Sequence, residues 1–422
     1  MKKNKSVEKT GSGTRSTVIP WIVFLVSISI VLISFVSVIF PALVLASDTV
    51  RIPGIEPVIP DPFEAGAWSG GVIASSAIVF GLAFLHHKKK IPQLSRLFEK
   101  IFAFEISKKK SLIVMIVILS IYVAASTGEL TTEETLGDYA GIKKRLDDAT
   151  IANRWTIEDA ISNNPNYSRF EPHVNYTLLL ISEKVFGNLK VIPFLASIAL
   201  LITTYFITKT ITHKRFAGIV ATVILMQSSV FLSYDTTISY TNFWILFYLV
   251  SLYAIYRFWP LSPVSYLLSI PAKAVTAAFL PMSIYFILRS QIPRRQKIIL
   301  SGITAGIVLA GLIVAVSFSV IEETQESFDG KEFQMGFTSF AYQLRFDGLV
   351  MLFMIPLMVG LFIASRKGIK HGESMMVFIA GMLLIAPILT GFTTQTNQPY
   401  RFVPLVVFFA MGVGVLLSKR QV

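Results

Sequence analysis

Long apolar runs separated by short basic loops set the pattern of this chain. They cover Thr17–Ser47, Ala67–Leu85, Ser111–Ala125, Leu189–Ile211, Phe216–Leu232, Thr241–Phe258, Lys297–Val320, Gly348–Ala364, Met375–Leu389 and Phe402–Leu417. Runs of about 16–25 residues are each long enough for a helix to cross a bilayer core of ~30 Å. The runs are continuous rather than alternating, which argues against a β-barrel. Pro260–Leu288 is apolar too, but Pro271-Ala272-Lys273 interrupts it. It is read as two short half-helices, a broken or re-entrant segment of the kind tolerated where it lines a protein cavity. The predicted fold is an all-α polytopic membrane protein of about 11–12 passes, the broken segment included.

One polar stretch stands out, between Ser126 and Phe186. Loops of this length are uncommon unless functional or disordered. It carries Glu129, Glu133, Glu134 and Asp138, then Lys143-Lys144-Arg145, then Glu171-Pro172-His173-Val174-Asn175-Tyr176. Ile142 and Leu146 lie one helical turn apart, so a helix is predicted here, flat on the membrane surface.

Charge placement orders the passes. Lys88–Lys110, His213-Lys214-Arg215, Arg366–Lys370 and Ser418-Lys419-Arg420 flank apolar runs. The positive-inside tendency puts them, and the N-terminus, in the cytoplasm. The loops 126–186 and 321–345 then face outward, provided that Pro260–Leu288 counts as two passes. Residues 1–16 read as a basic cytoplasmic tail. Residues 17–110 hold two extra spans and an interfacial helix marked by Phe98, Ile101, Phe102 and Phe104. Residues 111–422 form the main transmembrane domain. The first run could end in a signal cleavage site near Ala46-Ser47, but it exceeds an h-region of ~7–15 residues, which favours an anchored helix.

Composition agrees with this reading. The chain is 53% hydrophobic and 15% charged, with mean hydropathy +0.65. Its net charge of +13 sits in membrane-flanking loops, so nucleic acid is not an expected partner. With no cysteine, disulfides, thiolate metal sites and a cysteine nucleophile are excluded. No phosphate-binding glycine loop, zinc-protease or serine-hydrolase motif is present.

Five constellations could carry chemistry. Asp138 precedes the loop helix, where a carboxylate complements the helix dipole; it is either a capping residue or a catalytic acid, with Glu133 and Glu134 as rivals. Glu171 and His173 flank a proline turn that either binds a polar head group, relays a proton, or simply returns the chain to the membrane. Asn166-Tyr167-Ser168 and Asn175-Tyr176-Thr177 match the short N-glycosylation pattern. Asp235 is the acid of the outer loop Tyr234–Thr237. Lys273 in the broken segment and Arg401, beside Tyr400 at the last span, are outer-side cations. Each is either a snorkelling side chain or a grip on an anionic lipid phosphate.

The order of these pieces resembles the GT-C superfamily of integral membrane glycosyltransferases, including the dolichyl-phosphate-mannose–protein mannosyltransferases. The resemblance rests on an acid-bearing outer loop after a span, Pro172-His173-Val174-Asn175-Tyr176 where those enzymes carry a His-Pro-Pro-Leu-Tyr-Tyr-type turn, Lys273 after a broken segment, and Tyr400-Arg401 before the last span. It covers about Ser111–Leu417. The second proline of the turn is missing, and Asp138 stands without an adjacent acid. The resemblance implies a polyprenyl-phosphate-linked sugar donor and a protein, lipid or glycan acceptor. It makes Asp138 the general base, with Lys273 and Arg401 stabilising the departing lipid phosphate and Asp235 supporting acceptor or metal binding. Some members use a divalent metal and others do not, and these scattered acids do not select between them.

Two other classes compete. A transporter predicts mid-membrane charges and paired interrupted helices, whereas this chain shows one interrupted segment. A non-catalytic scaffold predicts that Asp138 points away from Lys273.

Overall fold

The computed structural model describes residues 18–45, 61, 63–88, 90–135, 138–152, 173–317, 328–392 and 399–418. Helices dominate, and no strand occurs among the described residues. The elements are α1 (Val18–Ile39), α2 (Ser69–His87), α3 (Pro92–Ala103), α4 (Lys108–Ser126), α5 (Tyr139–Ala152), α6 (His173–Phe186), α7 (Val191–Thr212), α8 (Arg215–Met226) and α9 (Ser229–Ser233). They continue with α10 (Phe243–Arg257), α11 (Leu261–Ala272), α12 (Leu280–Arg289), α13 (Arg294–Ser317), α14 (Gly330–Gly336), α15 (Thr338–Gln343), α16 (Gly348–Arg366), α17 (His371–Phe392) and α18 (Val403–Leu416). Among the described residues, seven helices are long and apolar enough to cross a membrane. The protein is therefore an all-α polytopic membrane protein.

Several passes are shorter than a bilayer and are completed by bent continuations. Helix α8 has 12 residues, only about 18 Å at 1.5 Å per residue. It ends at Met226, and the chain turns into α9. Buried Asp347 caps that turn from afar, accepting from Ser229 N (3.1 Å), Ser229 Oγ (3.0 Å) and Val230 N (3.1 Å). At the other end of α8, His213 adopts a left-handed conformation (φ 56°) that reverses the chain after α7. Gly218 lets the two helices close up: a Cβ there would lie 2.8 Å from the Tyr205 carbonyl oxygen.

The broken segment folds as its proline predicts. Pro271 cannot continue the hydrogen-bond ladder, and α11 stops at Ala272. Lys273 is extended, a 3-10 turn (Ala274–Phe279) follows, and α12 returns to the end from which α11 came. Lys273 is the apex of this hairpin.

The hairpin gives the bundle two chemically different ends. At the hairpin's open end, Lys108, Arg215 and Arg257 lie close enough to repel Lys209, and Arg289 and Lys370 do the same to Lys297. Glu373 is buried among the latter, 1% exposed, and accepts from Arg289 Nη2 (2.5 Å), Tyr285 OH (2.7 Å) and Ser365 Oγ (3.3 Å). Removing one partner of such a buried pair costs about 3–5 kcal/mol, because the other charge is left uncompensated. Arg289→Ala should therefore lower the midpoint of thermal unfolding in detergent, and adding Glu373→Gln should recover part of the loss. A double variant no better than the single one would refute the pairing as the cause.

The first two spans do not form a separate core. Val31, Phe35 and Val38 of α1 and Val72 of α2 belong to the same buried cluster as α10, α16, α17 and α18. The helix expected in the outer loop is present as α5, and its apolar residues have protein partners. Leu146 of α5 is buried with Tyr176 and Leu179 of α6 and with Ile238, and Ile142 and Tyr139 pack against them. Leu146 of α5 is thus buried on α6, which supplies a matching apolar face, with Tyr139 and Ile142 beside it.

Candidate active site

The end of the bundle at the hairpin apex is built around two chain segments lying side by side. One follows α4 and the other joins α9 to α10. Four carboxylates join them in sequence. Asp235 Oδ2 accepts from Ser126 Oγ (2.9 Å), and Thr236 Oγ1 donates to Glu129 Oε2 (2.9 Å). Ser239 Oγ donates to Glu134 Oε2 (2.6 Å), and Ile238 N donates to the other oxygen of Glu134. Tyr240 OH then donates to Asp138 Oδ2 (2.6 Å). The first segment is itself pinned, since buried Lys190 donates from Nζ to the carbonyls of Glu129 (2.9 Å) and Thr132 (2.7 Å).

The acids therefore separate by role. Glu134 and Glu129 hold the 236–239 backbone and its hydroxyls. Glu133 is exposed. Asp235 is 1% exposed and lies beneath the loop rather than on its surface. Burial pushes its carboxyl up to about 6, against the opposing pull of the Tyr122 and Ser126 hydroxyls. Its Oδ1 makes no full hydrogen bond. Asp138 is exposed at the start of α5, with one oxygen held by Tyr240. Burial first, and the Asp138 contact second, push the Tyr240 phenol above its ordinary range, so Tyr240 stays a donor.

From Tyr240 the contacts run on to the two cations. Its ring stacks on Tyr400 at 4.2 Å and 11°. Lys273 Nζ lies 5.3 Å from the Tyr400 ring centre, and the Arg401 guanidinium lies 5.8 Å from it. Arg401 Nε also donates to Tyr400 OH at 3.3 Å. Cations over an aromatic face at such distances are attracted by the ring quadrupole. The hairpin apex is located by Asn175 of α6, whose amide donates to the Ala272 carbonyl (2.9 Å) and whose oxygen accepts from Thr241 Oγ1 (3.2 Å). That side chain is half-buried and engaged at both ends, which makes Asn175 a structural link rather than a free glycosylation acceptor.

Beside Arg401 lies a narrow apolar crevice with room for little more than a water molecule, between the 3-10 turn of the hairpin and α17. Val275, Phe279, Met382, Ile385 and Leu389 line it, and Arg401 is the cation on its wall. The lining is apolar, with a cation at one side.

Of the residues singled out in the sequence, Asp138, Lys273, Tyr400 and Arg401 come together. Glu133, Glu134 and Asp235 border the group. His173 opens α6, and Glu171 lies outside the described residues, as do Asn166 and residues 322–326. Tyr240 and Asn175 complete the arrangement. Nothing in the sequence marks Tyr240, a tyrosine before an apolar run among many. Among the described residues no group of three or more His, Cys, Asp or Glu is placed to hold a metal ion.

Comparison with protein-family models, with curated proteins and with solved structures gives no match.

Proposed function

We propose that the protein is a membrane glycosyltransferase that moves a sugar from a polyprenyl-phosphate-linked donor to a hydroxyl acceptor at the extracytoplasmic face. The observation that carries this reading is the contact chain from Asp138 through Tyr240 and Tyr400 to Lys273 and Arg401. An acid at one end and two cations at the other match the two charges that such a transfer creates. The acceptor hydroxyl gives its proton to Asp138 as its oxygen attacks the anomeric carbon. The bond from that carbon to the phosphate oxygen breaks, and its electron pair leaves with the lipid phosphate. Lys273 and Arg401 offset that charge. The apex end faces outward and the N-terminus lies in the cytoplasm, because the basic ends of the helices gather at the opposite side.

Purified protein in lipid nanodiscs, supplied with polyprenyl-phosphate-linked sugars and mixed hydroxyl acceptors, should transfer labelled sugar. Absence of transfer from every lipid-linked sugar tested would favour a scaffold or a transporter instead. Tyr240→Phe keeps the stack on Tyr400 but removes the donor to Asp138. A hydrogen bond to a charged group is worth about 1.5 kcal/mol, so turnover should fall roughly tenfold with donor KM unchanged. Unaltered turnover would show that Tyr240 does not position the acid.

A further inference from the structure

We infer that α3 and its flanks form a binding surface for anionic lipid headgroups at the end of the bundle opposite the candidate site. This inference does not rest on the glycosyl-transfer reading. Three observations meet in one short stretch. First, α3 is bounded by two membrane-crossing helices, α2 ending at His87 and α4 beginning at Lys108, so it sits at the level where both spans leave the bilayer. Second, apolar residues of this helix are exposed: Leu97 53%, Phe102 48% and Ile101 38%. Leu97, Phe98, Ile101 and Phe102 share one helical face, while Arg96, Glu99 and Lys100 occupy the other. Third, Lys88, Lys90, Arg96, Lys100, Lys108, Lys109 and Lys110 are all exposed here, against the single exposed carboxylate of Glu99, since Glu105 is taken by Arg215 at 3.7 Å.

The helix is held against the bundle at its C-terminal end. Lys214 is 1% exposed, and its Nζ donates to the Phe102 carbonyl at 2.7 Å. Arg215 N donates to Glu105 Oε1 at 3.0 Å, and Phe104 packs edge-on to Phe216 at 4.8 Å. At mid-helix Phe98 packs edge-on to His86 at 5.5 Å. The helix is thus held at its C-terminal end and middle, while Leu97 and Phe102 stay exposed.

Charge complementarity selects the occupant. An apolar helix face of this size is covered by acyl chains at the bilayer interface. Seven cations around it, with one opposing acid, demand anions at headgroup depth, and each contributes about 1 kcal/mol near an anionic surface. A protein partner or a second copy would need a complementary acidic face. Among the described residues, α14 with Asp329 and Glu332 lies at the other end of the bundle.

The absence of cysteine permits a direct test. The full chain carrying Leu97→Cys or Glu99→Cys is labelled with a nitroxide and placed in nanodiscs of phosphatidylcholine with or without phosphatidylglycerol. Accessibility to oxygen and to a water-soluble nickel complex then gives depth. Position 97 should lie at the headgroup–acyl boundary and position 99 in water. In parallel, native mass spectrometry of the unlabelled chain from mixed discs should show phosphatidylglycerol retained over phosphatidylcholine. The variant Lys88→Gln/Lys90→Gln/Arg96→Gln/Lys100→Gln should reduce that preference by roughly 10²–10³-fold. Equal water access at positions 97 and 99, or equal retention of the two lipids by the unaltered chain, would overturn the inference. So would occlusion of position 97 in a dimer rather than in lipid. The depth measurement leaves every cation in place, so it does not depend on the fourfold variant folding.

Discussion

Asp138→Asn is expected to abolish most sugar transfer, lowering turnover by about 10²–10⁴-fold, the usual worth of a positioned general base. The substitution is nearly isosteric, and its amide oxygen can still accept from Tyr240 OH, now held at 2.6 Å. The stack of Tyr240 on Tyr400 should therefore survive, and donor KM should change little. Turnover of labelled polyprenyl-phosphate sugar, with KM measured separately, distinguishes loss of the base from loss of the site. The neighbouring acids provide the contrast. Glu133 is exposed, and Glu133→Gln should leave transfer near the unaltered level. Glu134→Gln weakens the hold on Ser239 and Ile238 and should give an intermediate loss, through displacement of the loop that carries Tyr240. Retained activity in Asp138→Asn would remove that residue as the base.

Removing either cation should act on the other half of the reaction. Lys273→Ala and Arg401→Ala are each expected to cost about 10²–10³-fold in turnover, the range seen when a group facing developing charge is deleted. The signature differs from that of Asp138. The product polyprenyl phosphate carries the charge that Lys273 and Arg401 face, so both variants should also weaken product inhibition, whereas Asp138→Asn should not. Arg401→Lys should fall between, because a point charge replaces a planar fork with several donors. If polyprenyl phosphate inhibits all three chains equally, the cations have no part in binding the leaving group. Folding can be checked independently, since neither cation is fully buried and the buried Glu373–Arg289 pair lies at the far end of the bundle.

How far the sequence reached depends on the range of the forces involved. The spans were legible because burial in lipid requires continuous apolar residues, and Pro271 announced the break because a proline cannot donate to a ladder. The observed ends differ modestly from the predicted ones, as with α17, which begins at His371 rather than Met375. The helix of the outer loop was legible, but not what its apolar residues touch, because Ile142 and Leu146 look the same whether lipid or another helix covers them. Only the presence of α6 with Tyr176 and Leu179 decides which. The acids could not be ranked along the chain either. Glu134 and Asp138 are both carboxylates near a helix start, and they differ only in what arrives from the segment before α10: a backbone amide and a serine for one, a tyrosine for the other.

The sequence by itself determined the class of protein, the passes and the hairpin, and it named the acid and the two cations worth following. Hydrophobicity and proline act locally, so their consequences can be read in order along the chain. The tertiary structure decided which polar groups meet. Asp138 and Tyr240 stand 102 positions apart, and Tyr400 closes on Tyr240 only after α10 through α17 have packed. Such contacts depend on the angles at which helices cross and on which loop is pinned by which side chain. Those are properties of the packed bundle, and no single stretch of residues carries them.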